Sequence, residues 1–252
     1  MKDQLSAIAI EAGKAILEIY ETGDFGVEAK NDDSPLTRAD KAAHEVIVEG
    51  LKSFGYPILS EEGADIPYEE RKNWDKFWMV DPLDGTKEFI KKNGEFTVNI
   101  ALIEDGTPTF GVVYVPVKDE LYIGGVNDSA TKVTESGEVK LRAKGELSYA
   151  DLIQKSALRV VASRSHLNDA TQNLLSSLHN PEIVSMGSSL KFMVLADGNA
   201  DLYPRFAPTM EWDTAAAHGI LKSLGYSVLK ENSNDELTYN KENLLNPYFI
   251  CY

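Results

Sequence analysis

The sequence predicts a two-part protein: an α+β half built on a meander of strands, then an α/β half, joined near residue 150. Three observations lead there. Two segments near the start repeat apolar residues at helical spacing, and strand-like runs follow with a hairpin signature between two of them. Beyond the junction, strands and helices alternate, the pattern of a parallel or mixed sheet with helices on its faces.

Leu5, Ile8, Ala9, Ala12, Ile16 and Ile19 predict a first helix over residues 3–21. Thr37-Arg38-Ala39-Asp40 opens a second, continuing through Val46, Ile47 and Leu51 to Gly55. PILSEE (57–62) and KFWMVD (76–81) are short apolar strands that both end in acid. FTVNIALIEDGTPTFGVVYVPV (96–117) reads as two strands turning at Asp105-Gly106, and ELYIGG (120–125) extends the meander. Residues 126–152 are polar and weakly patterned, which places the junction near their end. The second half then gives strand 159–163, helix 168–179, strand 182–186, helix 189–197, strand 200–206, helix 212–225 and a closing strand at YSVLK. The expected domains are 1–150 and 151–252. There is no internal repeat and no low-complexity tract.

Composition narrows the class of function. The chain has 252 residues, 43% of them hydrophobic, and no uninterrupted apolar run long enough to span a bilayer. Acidic residues within the first apolar pattern make the N-terminus an amphipathic helix and not a signal peptide. One cysteine, Cys251, excludes an internal disulfide and fits a reducing compartment. The expected setting is cytoplasmic, free or peripheral at the inner membrane. A net charge of −15 disfavours nucleic acid and anionic membranes as partners. The 40 acidic residues serve solubility, or some of them converge to hold cations that attract an anionic substrate.

The stretch WMVDPLDGT selects between these. Open α/β sheets place ligand sites at the C-terminal ends of strands, where Glu61 and Asp81 fall. Pro82 fixes its own φ and donates no hydrogen bond, so the strand is expected to stop there. The turn then aims Asp81 and Asp84 into one space with the Leu83 carbonyl between them, an oxygen set suited to a hard cation such as Mg²⁺. Without a cation the two carboxylates repel, and one tends to take a proton. Gly85 and Thr86 open a short helix through Phe89 whose free N–H groups offer an anion site beside the cation site. Phosphate chemistry needs that pairing, because a metal neutralises phosphate oxygens and acidifies a water. Each piece has an ordinary alternative: a DG turn, a solvated strand exit at Glu61-Glu62, a capping box at Thr37 and Asp40, and a dipole-favoured acid at Asp213. DPLDGT is the most specific element.

WMVDPLDGTKEF together with EWDTAAAHG resembles the two signatures of the inositol monophosphatase superfamily, lithium-sensitive, magnesium-dependent phosphomonoesterases, over nearly the whole chain. NGEFTVNIALI, SRSH, GSSLKF and LYPRF, with Lys87-Glu88 after DPLDGT, resemble its bacterial 3′(2′),5′-bisphosphate nucleotidases. The resemblance implies a layered αβαβα sandwich of the inositol-monophosphatase/fructose-bisphosphatase kind, with an antiparallel-sheet N-terminal domain, an α/β C-terminal domain and the phosphate site between them. It implies Glu61, Asp81, the Leu83 carbonyl, Asp84 and Asp213 as ligands of two or three Mg²⁺ ions. Gly85 and Thr86 would hold phosphate, with Asp213 also at the substrate. Glu61 and Thr86 would orient the attacking water, with Asp40 bonded to the Thr86 hydroxyl.

The expected reaction is in-line attack by metal-activated water with no phosphoenzyme, the metals about 4 Å apart. For the second phosphate of a bisphosphate nucleotide, Lys191 and Arg205 are the candidate cations, Ser188 and Ser189 candidate donors, and His166 a candidate base contact. Their ordinary reading is polar surface. Rival readings are an inositol or sugar monophosphatase, a haloacid-dehalogenase-type phosphatase, whose loop has one residue between its aspartates instead of two, and a non-catalytic nucleotide or metal binder. The chain is expected to act as a monomer or homodimer.

Overall fold

The structure is a computed structural model and describes residues 1–29, 35–145, 147–162 and 167–252. Helix α1 (Lys2–Thr22) ends at Gly23, whose φ of 73° closes it. A short ribbon, β1 (Glu28–Ala29) and β2 (Pro35–Leu36), leads into α2 (Arg38–Leu51). Next come β3 (Ile58–Ser60), α3 (Tyr68–Arg71), β4 (Lys76–Asp84), α4 (Thr86–Ile90), β5 (Thr97–Glu104), β6 (Thr107–Val115), β7 (Glu120–Gly125), β8 (Asp128–Thr134) and β9 (Gly137–Lys140). The second half has α5 (Tyr149–Leu152), β10 (Arg159–Val161), α6 (Asp169–Ser177), β11 (Glu182–Val184), α7 (Leu190–Ala196), β12 (Tyr203–Arg205), α8 (Trp212–Ser223), β13 (Val228–Lys230) and β14 (Phe249–Cys251).

Strands β3 to β9 form one seven-stranded sheet in chain order, antiparallel except for the parallel β3–β4 pair. Asp105 (φ 48°) and Gly106 (φ 70°) make the β5–β6 turn with two left-handed residues, the geometry that matches strand twist. The alternation along the strands sorts the core. Trp78, Val80, Val98, Ile100 and Val112 pack under Leu5, Ala9, Ala43 and Ile47 of α1 and α2. Phe77, Met79, Ala101, Ile103 and Val113 face the other way, onto α7 and α8. Gly111 permits that second contact: a Cβ there would lie 1.9 Å from the Ala216 carbonyl oxygen of α8.

The second sheet is mixed. Strands β10 and β11 pair in parallel, β14 lies antiparallel between β12 and β13, and a parallel bridge from Val160 to Leu202 connects the two groups. Leu152 of α5 and Leu175 of α6 cover its outer face, joined by Leu158 and Leu178 from the adjoining loops. The layers therefore run helix, sheet, helix, sheet, helix, the αβαβα sandwich. One apolar cluster unites Phe77 and Met79 with Ala216, Phe249 and Cys251, so the two halves share a core. We propose a boundary near residue 150, between the last strand of the first sheet at Lys140 and the first of the second at Arg159.

Three features depart from expectation. Residues 126–152 contribute β8, which buries only Ala130 and Thr131, and the edge strand β9, every residue of which is exposed, so neither shows a sustained apolar alternation. Strand β14, central to the second sheet, follows a long irregular stretch and reads from sequence as a tail. Strand β4 does not stop at Pro82 but runs on to Asp84.

Candidate active site

Residues three apart on a regular strand point to opposite faces, so Asp81 and Asp84 should be separated. A bulge reunites them. Asp81 pairs with Asn99 and Asp84 with Thr97, so three steps on β4 match two on β5. The Leu83 N–H donates to Asp81 Oδ1 at 3.0 Å and fixes the bulge, while the Leu83 side chain goes to the α1–α2 face. Asp81 keeps the orientation of Phe77 and Met79, toward α8. Asp213 stands in the first turn of α8, and ligand oxygens of Asp81, Asp84 and Asp213 all lie within 4.8 Å of one another.

Burial raises the Asp81 carboxyl well above the usual range, and Glu61, Asp84 and Asp213 raise it further; Glu61 also shares a hydrogen bond with it. Asp213 is raised first by burial and then by Asp84. Glu61 reaches the cluster from the turn that follows β3. Oxygen-only, anionic and crowded, this donor set fits a hard divalent cation, which would remove the repulsion.

Asp40 serves two partners with its two oxygens. Oδ2 accepts from the Thr37 N–H at 2.7 Å and the Thr37 hydroxyl at 2.6 Å, completing the capping box of α2. Oδ1 lies 3.3 Å from the Thr86 hydroxyl, which is also 3.3 Å from the Leu83 carbonyl oxygen. Gly85 sits between them and the next loop with φ 95°, and a Cβ there would come within 2.9 Å of the Glu95 carbonyl oxygen.

Asp84 is held from the second half of the chain. The Ser188 hydroxyl and the Ser189 N–H donate to Asp84 Oδ2 at 2.6 and 2.5 Å. Ser189 is buried, and its hydroxyl meets Thr97 Oγ1 at 2.7 Å and Asn99 Oδ1 at 3.0 Å. In this structure the polar groups of Ser188 and Ser189 are thus engaged with Asp84 and β5.

A cavity of about 270 Å³ opens beside the cluster, lined among others by Asp84, Gly85, Asp213, Lys191, Arg205 and Glu88. The half-buried Lys191 ammonium donates to the Ser188 carbonyl at 3.2 Å; desolvation lowers its pKa, opposed by Asp84 and reinforced by Arg205 beside it. Arg205 donates to the Pro208 carbonyl at 3.0 Å, leaving its buried Nε without a hydrogen-bond partner. His166 lies outside the described residues. A larger cleft of about 550 Å³, between Tyr149, Phe206 and Tyr252, contains none of the clustered acids. Sequence reading missed Thr97, Asn99 and Glu88. Glu88 adjoins the DPLDGT motif and was open to inspection; only strand register reveals the other two.

Comparison with known proteins agrees with this geometry. The model of the inositol monophosphatase family matches residues 1–248. The chain is 45% identical over 257 residues to the 3′(2′),5′-bisphosphate nucleotidase CysQ of Shigella flexneri, covering 99% of this chain and 98% of that protein. The CysQ nucleotidase of Escherichia coli K12 matches at the same identity and coverage, 45%, 99% and 98%. The crystal structure of CysQ from Bacteroides thetaiotaomicron, a bacterial member of the inositol monophosphatase family, aligns with a TM-score of 0.84 at 44% identity, over 97% of this chain and 93% of that one. Fold and acidic site together are those of a metal-dependent phosphatase. The chain belongs to the inositol monophosphatase family. Among the described residues, no helix is long and apolar enough to cross a membrane.

Proposed function

We propose that the chain is a Mg²⁺-dependent phosphomonoesterase that hydrolyses 3′(2′)-phosphoadenosine 5′-phosphate to AMP and phosphate. The observation that carries this reading is the cluster of Asp81, Asp84 and Asp213 opening on a pocket that also holds Lys191 and Arg205. The names of the relatives above support the choice of a bisphosphate nucleotide.

Glu61, Asp81, the Leu83 carbonyl, Asp84 and Asp213 would hold two or three Mg²⁺ ions. When bound, the ions neutralise phosphate oxygens and lower the pKa of water. The chain supplies position. The Thr86 hydroxyl donates its hydrogen bond to Asp40, which leaves a lone pair to face the water and align it. Glu61 orients the same water from the exit of the neighbouring parallel strand β3. Gly85 and Thr86 N–H groups bind the phosphate that is cut, and Lys191 and Arg205 bind the one that is kept, which places the nucleoside on the far side of the pocket. Water attacks phosphorus directly, the ester oxygen leaves with the nucleotide, and no bond forms to the protein.

The test is a panel of 3′-phosphoadenosine 5′-phosphate, inositol 1-phosphate and fructose 1,6-bisphosphate with Mg²⁺, using wild type and Asp84→Asn. The nucleotide should be hydrolysed most efficiently by wild type and hardly at all by the variant. The family as a whole favours one alternative, an inositol or sugar monophosphatase. Under that alternative Lys191→Ala and Arg205→Ala would leave activity nearly intact; under ours both raise KM for the nucleotide. An aspartyl-phosphate trapped on Asp81 would overturn the direct mechanism.

A further inference from the structure

Asp81 and Asp84 share a strand, whereas Asp213 comes from a helix in the other half of the chain, and the three carboxylates repel one another until a cation arrives. The start of α8 must therefore be held against that repulsion. Within its own first turn the Met210 N–H donates to Asp213 Oδ2 at 2.9 Å. The body of α8 is packed on the first sheet, but the polar groups of its N-terminal turn are held by the C-terminal stretch threaded beside it. Asn246 donates from its backbone to the Thr209 carbonyl at 2.8 Å and from Nδ2 to the Met210 carbonyl at 2.8 Å. Glu211, fully buried, accepts from the Asn240 N–H at 2.6 Å and the Lys241 N–H at 3.0 Å, and pairs with the Lys241 ammonium at 2.5 Å.

That stretch is itself gripped from the first half. Arg71, at the end of α3, is 3% exposed. Its guanidinium donates to Asn240 Oδ1 at 2.9 Å, the Lys241 carbonyl at 2.6 Å and the Glu242 carbonyl at 2.8 Å. Asn240 Nδ2 returns a bond to the Arg71 carbonyl at 2.6 Å. Only the planar guanidinium fork meets three acceptors in fixed directions. The links run without a gap from α3 through Asn240 and Glu211 to the turn that carries Asp213.

We propose that Arg71 is a positioning residue of the metal site: through residues 240–242 and Glu211 it fixes Asp213 opposite Asp81 and Asp84, so that the carboxylates are pre-placed for the cation. This rests on the metal-assisted reading above. The blander role, a buried arginine that only tacks down the C-terminus, would lower thermal stability without changing affinity for metal.

The experiment is calorimetric titration of Mg²⁺ alone into wild type, Arg71→Ala, Arg71→Lys and Asn240→Ala, at a temperature where circular dichroism shows each folded. Loss of an outer support of this kind should raise the Mg²⁺ dissociation constant roughly 10-fold. Lysine should not restore it, since its single nitrogen cannot take the places of the two guanidinium nitrogens that reach these acceptors. The Arg71→Ala/Asn240→Ala double variant should bind no more weakly than the worse single, because both act on one link. At saturating Mg²⁺ the variants should regain kcat. Folded variants that bind Mg²⁺ within about twofold of wild type, with only a lower melting temperature, would overturn the proposal. If Arg71→Ala does not fold, Asn240→Ala decides by the same criterion. In that outcome an active, Mg²⁺-binding wild type leaves the proposed function standing, whereas a wild type that binds no Mg²⁺ overturns that function and this role together.

Discussion

Asp81 stands in the acidic cluster proposed to hold metal, where its neighbours Asp84 and Asp213 crowd it. Its carboxyl is pushed up by burial and then by three acidic neighbours, so the fold disfavours its charged form. A carboxyl raised in the fold contributes stability below its unfolded pKa, and that contribution is lost as pH rises toward the folded value. Asp81→Asn should therefore melt a few degrees higher than wild type in chelator at neutral pH, and should lose the stabilisation that Mg²⁺ gives wild type. Thermal melts with and without Mg²⁺ check both. Thr86 makes a second residue-scale case. Thr86→Val removes the hydroxyl that faces Asp40 and should lower kcat roughly 100-fold with KM less changed, while Thr86→Ser keeps most of the rate. Steady-state kinetics on the pair separate the hydroxyl from the methyl.

At the scale of elements, α2 and α8 carry site residues at their N-termini. The capping box of α2 and the contact with Thr86 use opposite oxygens of Asp40, so the cap leaves one oxygen for the role proposed for it at Thr86. Thr37→Ala should cost about 1 kcal/mol of stability in urea unfolding, with far less effect on rate than Thr86→Val. For α8 the decisive neighbour is Gly111. An alanine there must displace the Ala216 carbonyl, and Gly111→Ala should destabilise the fold by about 3 kcal/mol. A denaturation midpoint within error of wild type would contradict this account of the packing.

Across the whole molecule, the second sheet is tied together by Arg159. Its guanidinium grips Asp201 with Nε at 2.9 Å and a terminal nitrogen at 2.7 Å, and it also reaches the Gly198 carbonyl at 2.8 Å. Burial alone would raise the Asp201 carboxyl, but the Arg159 side chain and N–H outweigh it and hold the pKa below the usual value. A lowered carboxyl contributes stability above its unfolded pKa and loses it as pH falls through the folded one. Asp201→Asn should be less stable than wild type at neutral pH, and the gap should close as pH drops below the ordinary aspartate range. Melting temperatures across that pH series test it. The same tie steadies β10 and β12, and β12 carries Arg205 into the pocket.

The acidic motif was legible in the sequence because it is local: DPLDGT crowds two carboxylates around a proline, and EWDTAAAHG sets a third at a helix start. Both helices before it and the Asp105-Gly106 hairpin were equally open, since periodicity and turn chemistry act over a few residues. The extent of the first sheet was hidden, because β9 lies in water and β8 buries only two residues, so neither carries a sustained apolar alternation. Strand β14 was hidden too, since its partners β12 and β13 are chosen by packing and not by neighbours in the chain. Only the tertiary structure decided that the Pro82-Leu83 bulge turns Asp81 and Asp84 to one face, and that Thr97, Asn99 and Arg71 stand behind the site. Register and long-range hydrogen bonds join residues far apart in sequence, so no stretch of the chain, read alone, contains them.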